Sequence, residues 1–99
     1  MDNQELNRKV CEKLGWEPAP DVGLAVMRNK YTGDLSHKMW LKDYTTDLNA
    51  CFRDVVPRMG DIELFIRDTY SFVRHKGMRG RQYQTPAEAI CRAFLAMEE

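Results

Sequence analysis

Between Leu48 and His75 the chain changes its apolar period, and this switch limits the possible folds more than any other feature. Leu48, Cys51, Phe52, Val55 and Met59 keep helical spacing. From Asp61 onward Ile62, Leu64 and Ile66 alternate with Glu63, Phe65 and Arg67, and Tyr70, Phe72 and Arg74 alternate with Ser71 and Val73. A helical period followed by strict alternation predicts one helix and then two strands joined around Asp68-Thr69. The helix is expected to begin at Thr45 or Thr46, whose hydroxyls accept from the free amides of a first turn. Asp47 adds negative charge at the positive end of the dipole, and Pro57 predicts a kink or an end near Val56. Arg81-Gln82-Tyr83-Gln84 offers a short edge strand.

Two further helices flank this region. Leu6, Val10 and Leu14 recur every fourth residue and mark one buried stripe on a helix from about Asn3 to Leu14. Asp2 or Asn3 caps it, and Glu5 occupies the capping-box position. Gly15 suits the left-handed turn past the end, Trp16 packs back on the last turn, and Pro18 and Pro20 complete the break. At the other end Thr85-Pro86-Ala87-Glu88 places a capping Thr, a Pro at the first helical position and a Glu at the third. Ala87, Ile90, Cys91, Phe94 and Leu95 then trace one apolar face. Glu98-Glu99 opposes the negative end of the dipole, so fraying is expected there.

Residues 23 to 42 read as a hairpin, with Gly23-Leu24-Ala25-Val26-Met27 and Lys38-Met39-Trp40-Leu41 as strands around the turn formers of Asn29 to Asp34. The expected fold is α+β: one antiparallel sheet of about four to five strands packed with three helices, in the order α-β-β-α-β-β-(β)-α. At 99 residues, with no repeat or long linker, the chain is expected to form a single domain, 1–99.

Hydrophobic residues make up 43% of the chain and charged ones 30%, which excludes a disordered polymer and a membrane span. Fifteen basic and fifteen acidic residues give zero formal net charge, which argues against a strongly basic nucleic-acid wrapper. Cys11, Cys51 and Cys91 cannot all pair within one chain and lie among apolar residues, as free thiols do in a reducing compartment. The amphipathic, charged start at Met1 to Leu14 does not resemble a signal peptide, so a cytoplasmic location is expected.

No phosphate-cradling glycine loop, paired CxxC, HExxH or nucleophile elbow is present. Asp43 and Asp47 flank a helix start and are candidate oxygen ligands for Mg²⁺, although a turn and a cap explain them better. No cofactor and no metal site is therefore expected. The most informative stretch is Val73 to Tyr83, which carries four formal positive charges and two glycines, with no acid between Asp68 and Glu88. Guanidinium-rich loops of this kind suit phosphate or carboxylate recognition. The candidate partner- or phosphate-binding residues are Arg74, His75, Lys76, Arg79, Arg81 and Tyr83. The bland reading is a solvated connection. A second candidate, Arg28 to Lys42, interleaves Tyr31 and Trp40 with Lys, with core packing the better account of Trp40.

Three segments resemble a known family. Asn7-Arg8-Lys9-Val10-Cys11-Glu12-Lys13-Leu14-Gly15-Trp16 resembles the opening helix and Gly-Trp stop of the phage ABA sandwich domain family. Asp43-Tyr44-Thr45-Thr46-Asp47-Leu48-Asn49-Ala50 is similar to its central motif, and Thr85 to Ala93 is similar to its C-terminal helix motif. The resemblance implies a phage or prophage origin and an α-β-α layered fold, and it implies no reaction and no catalytic residues. Residues 17–42 and the basic stretch 73–82 depart from the family pattern. The resulting expectation is a phage-encoded, non-enzymatic accessory protein in the host cytoplasm. It would bind and modulate a host protein or complex, such as a defence system, through its basic loop, as monomer or homodimer and without a membrane. A nucleic-acid or nucleotide-binding module and a small metal-dependent hydrolase using Asp43 and Asp47 are the alternatives.

Overall fold

The computed structural model describes residues 2–36 and 43–97. Helix α1 spans Asn3–Lys13 and starts where Asp2 accepts the Glu5 amide at 2.8 Å. Leu6, Val10 and Cys11 form its buried side, joined by Leu14 just beyond it. Gly15 takes the left-handed turn with φ 104°, as expected, but Trp16 then enters a strand.

Among the described residues the strands form not one sheet but two, each three-stranded and antiparallel. The first contains β1 (Trp16–Pro18), β2 (Met27–Asn29) and β3 (Leu35–Ser36). Trp16 faces Asn29 and Pro18 faces Met27, while Met27 also faces Ser36. The stretch expected to break the chain is thus an edge strand, because proline is tolerated at a strand end where its missing N–H is not required. The apolar run at 23–27 is mostly turn, with Leu24 98% exposed, and extended pairing begins only at Met27. The expected strand at Lys38–Leu41, with Trp40, lies outside the described residues.

The middle helical stretch begins later than expected. Asp47, rather than Thr45 or Thr46, is the cap, and its carboxylate accepts the Ala50 amide at 3.1 Å. Helix α2 (Leu48–Ala50) runs into a π-helical turn at Cys51–Val55 and then α3 (Val56–Met59). Within the turn the Val56 N–H reaches back to the Cys51 carbonyl. Pro57 follows directly; lacking an N–H, it cannot continue a regular ladder, which accounts for the irregular winding at the expected kink.

The second sheet contains β4 (Ile62–Ile66), β5 (Ser71–His75) and β6 (Met78–Arg79), with Leu64 opposite Val73 and Phe65 opposite Phe72. The β4–β5 hairpin matches the alternation in the sequence. The third strand does not lie at Arg81–Gln84 as expected; it forms earlier, because Lys76 (φ 52°) and Gly77 (φ 78°) make a two-residue turn of the hairpin type. Helix α4 (Pro86–Ala96) starts as expected at Thr85, whose hydroxyl accepts the Glu88 amide at 3.2 Å.

One core joins α1, the middle helical stretch, α4 and the Val73 side of the second sheet. It includes Leu6, Val10, Tyr44, Cys51, Val55, Val73, Ile90, Cys91 and Phe94. Buried polar groups tie the pieces together. The Asn7 side chain accepts the Tyr44 amide at 2.8 Å, and Asn29 donates to the Leu14 carbonyl at 3.1 Å. Among the described residues no helix is long and apolar enough to cross a membrane.

Candidate functional site

The basic stretch is shaped by an irregular sheet edge. Met78 pairs with His75 and Arg79 with Arg74, and the Gly80 amide donates to the Val73 carbonyl at 2.8 Å. Continued in that register, Gln82 would face Ser71. Instead Tyr83 does, with amide–carbonyl distances of 2.7 and 2.8 Å in the two directions. One extra residue is therefore accommodated at 80–82, a bulge on an edge strand, and Arg81 and Gln82 are exposed there. A side chain at Gly80 would meet the Val73 carbonyl at 3.0 Å, so the strand's close approach depends on this glycine.

Between this edge and α4 runs a groove. A cleft of about 830 Å³ is lined on its apolar side by Met59, Val73, Met78, Ala93 and Met97. A smaller one of about 300 Å³ continues it, sharing Val73, Arg79, Gly80, Ala93 and Ala96. Arg58, His75, Lys76 and Arg79 border the first cleft, with Asp61 as its acid, and Arg81 and Arg92 border the second. Arg92 is held from two sides, 3.6 Å from the Glu88 carboxylate and 5.1 Å from the Tyr83 ring centroid.

The six residues expected from the sequence do not form one cluster. His75, Lys76, Arg79, Arg81 and Tyr83 all line the groove. Arg74 does not: alternation along β5 carries it to the opposite sheet face, where it meets Glu63 in a two-pronged ion pair at 2.6 and 2.7 Å. Arg79, its cross-strand partner, sends its guanidinium to that same face, 4.2 Å from the Phe72 ring centroid. Reading the stretch as one loop missed this division, although alternation from Phe72 onward signalled it. Arg58, Met59, Ala93 and Met97 were missed for another reason: they come from α3, α4 and the residue just past α4, and join the groove only through tertiary packing.

The other sequence candidates have local roles. Asp43 accepts the Thr45 amide at 3.2 Å and Asp47 caps α2, so each carboxylate has an oxygen engaged in its own turn. Among the described residues no group of three or more His, Cys, Asp or Glu side chains is arranged to hold a metal. Arg28 is paired with Asp21 at 2.9 Å. Tyr31 covers Gly15, where an added Cβ would lie 2.5 Å from its ring.

The three thiols are all buried. Cys51 and Cys91 both donate to the Tyr44 carbonyl, at 3.0 and 3.2 Å. Were Cys51 to lose its proton, the Cys91 thiol could donate to it, which draws Cys51 down and, together with burial, pushes Cys91 up. Burial, reinforced by nearby Glu12 and Asp43, pushes the Cys11 thiol up to about 12. Cys11 and Cys91, buried and held protonated, are poor nucleophiles.

The fold class is thus α+β, with two separate antiparallel sheets and a basic, apolar-floored groove beside the second. Comparison with protein-family models, with curated proteins and with solved structures finds no match.

Proposed function

We propose that this chain is a non-enzymatic binding protein whose groove between β5–β6 and α4 receives an acidic, partly apolar segment of a partner protein. The observation that carries the reading is the convergence of His75, Lys76, Arg81 and Tyr83 on that groove, with Arg79 at its border although its guanidinium turns to the opposite sheet face. Methionine and alanine supply a floor that gains from desolvation, and methionine adapts its shape to a partner. The basic rim supplies steering and register toward carboxylates. Zero net charge makes this a local patch rather than a property of the whole molecule. The resemblance to the phage ABA sandwich domain family supports the finer reading: a phage-encoded accessory protein that acts in the host cytoplasm on a host component, with defence systems as the target class.

The test is affinity capture from bacterial host lysate with the wild-type chain and with the double variant Lys76→Glu, Arg81→Glu. Both positions are exposed, so the fold is expected to survive the change. A partner retained by the wild type and lost by the variant supports the reading. Equal capture by both proteins, or capture by neither, rejects it.

A further inference from the structure

The face of the second sheet opposite the core has a composition of its own. Phe65 and Phe72, cross-strand partners on β4 and β5, stack with ring centroids 4.7 Å apart and planes 10° from parallel. Tyr70 extends the row, 6.3 Å from Phe72. Guanidinium groups lie over these rings: Arg74 and Arg67 at 5.4 and 5.6 Å from Phe65, and Arg79 at 4.2 Å from Phe72. Arg67, Arg74 and Arg79 are exposed, while Phe65 and Tyr70 are half-buried.

Charge on this face is unbalanced. Glu63 is consumed by Arg74, at N···O distances from 2.6 to 3.0 Å. Among the described residues Arg67 and Arg79 have no carboxylate within ion-pair distance, and both rest on carbon rings instead. Three guanidinium groups are thus gathered over two aromatic rings, with Tyr70 beside them.

We propose that this face is a second binding surface, and that its ligand is single-stranded nucleic acid. Bases have flat π-faces that stack on aromatic rings and on guanidinium planes, while arginine also reaches phosphate oxygens. Phe72 is buried between Phe65 and Tyr70, so the surface offered to bases is the exposed guanidinium planes together with the half-buried Phe65 and Tyr70 that hold them. A duplex keeps its bases stacked on one another and cannot use the rings. Of its residues Arg79 alone also borders the groove, so the surface stands whether or not the groove takes a protein.

The test uses fluorescence anisotropy with fluorescein-labelled oligo-dT and oligo-U of about 12 nucleotides, within the range of single-strand sites. Two arginines without an acid partner predict a logarithmic salt slope of roughly −1.4, at about −0.7 per phosphate. Phe65→Leu, which removes the ring and keeps an apolar side chain, is expected to weaken binding about tenfold. Arg67→Gln, at an exposed position, is expected to weaken it several-fold and flatten the slope. Lys76→Gln with Arg81→Gln, on the groove side, should leave affinity within about twofold. Melting curves of each variant confirm that the fold is retained. Absence of binding at low salt overturns the proposal, as does equal affinity for duplex, indifference to both Phe65→Leu and Arg67→Gln, or a loss confined to the groove variant.

Discussion

Lys13 of α1 closes the C-terminus of α4: its Nζ donates to the Phe94 carbonyl at 2.5 Å and the Met97 carbonyl at 2.7 Å. The same ammonium stands 4.6 Å from the centroid of the Phe94 ring. A helix end whose following residues are acidic thus receives its compensating charge from a helix more than eighty positions away in sequence. The ammonium adds a donor to the Phe94 carbonyl, which also accepts the Met97 amide at 3.3 Å, and sits at the negative end of the helix dipole.

Lys13→Met keeps most of the stem and removes the charge. Charge-assisted hydrogen bonds contribute roughly 1.5–3 kcal/mol when well buried, and this one is partly exposed, so a loss of about 1–2 kcal/mol in urea denaturation is expected. Amide exchange should quicken first in the last turn of α4. Unchanged stability together with unchanged exchange would show that the contact contributes nothing.

Gly15 combines a φ of 104° with a Tyr31 ring 2.5 Å from where a Cβ would sit. Gly15→Ala is therefore expected to destabilise by more than about 1 kcal/mol, part from backbone strain and part from the ring. In a Tyr31→Ala background the same substitution should cost less, because the backbone share and a 3.0 Å approach to Asn29 Oδ1 remain but the ring clash is gone. Equal costs in the two backgrounds would mean that the ring simply moves aside.

Burial raises Cys11 from its ordinary 9.0 to about 12, and burial followed by the hydrogen bond to Asp54 also raises Tyr44. The folded state keeps these protons after the unfolded chain has released them. Their stabilisation is therefore complete below about pH 9 and declines as pH rises toward about 12. Urea midpoints at pH 8 and pH ~10.5 should show this loss, and Cys11→Ala should reduce the slope without abolishing it. A midpoint independent of pH across that interval would contradict the assignment.

The Arg74–Glu63 pair has good geometry but is half in water, with side-chain exposures of 43% and 58%. Solvent screening limits such pairs to about 1 kcal/mol or less, so Glu63→Gln should lower stability only slightly. It also releases Arg74 from its acid, which on the nucleic-acid proposal should tighten oligonucleotide binding and steepen the salt slope. Weaker binding in Glu63→Gln would count against that proposal.

Elements whose instructions are local were legible in the sequence. Asp2 before α1, Gly15 after it, Thr85-Pro86 before α4 and the alternation of β4 and β5 each act within a few residues, where capping geometry and side-chain period decide the outcome. Even the irregular winding near Pro57 follows from a missing donor. The candidate stretch at 74–83 was legible as a concentration of charge, and its rim residues do meet at one groove.

Tertiary structure decided the rest. Strand β1 exists because Trp16–Pro18 finds β2, and nothing within that segment announces a partner eleven residues further on. The sheet divides in two because pairing is a contest among distant segments, and hydrogen bonds satisfied within one ladder are no longer offered to another. Arg74 and His75 are neighbours in the chain yet serve opposite faces, and the groove's floor comes from α3 and α4. Composition and spacing specify which groups a chain carries and how each short stretch prefers to bend. Which of them share a surface depends on packing between segments far apart in sequence.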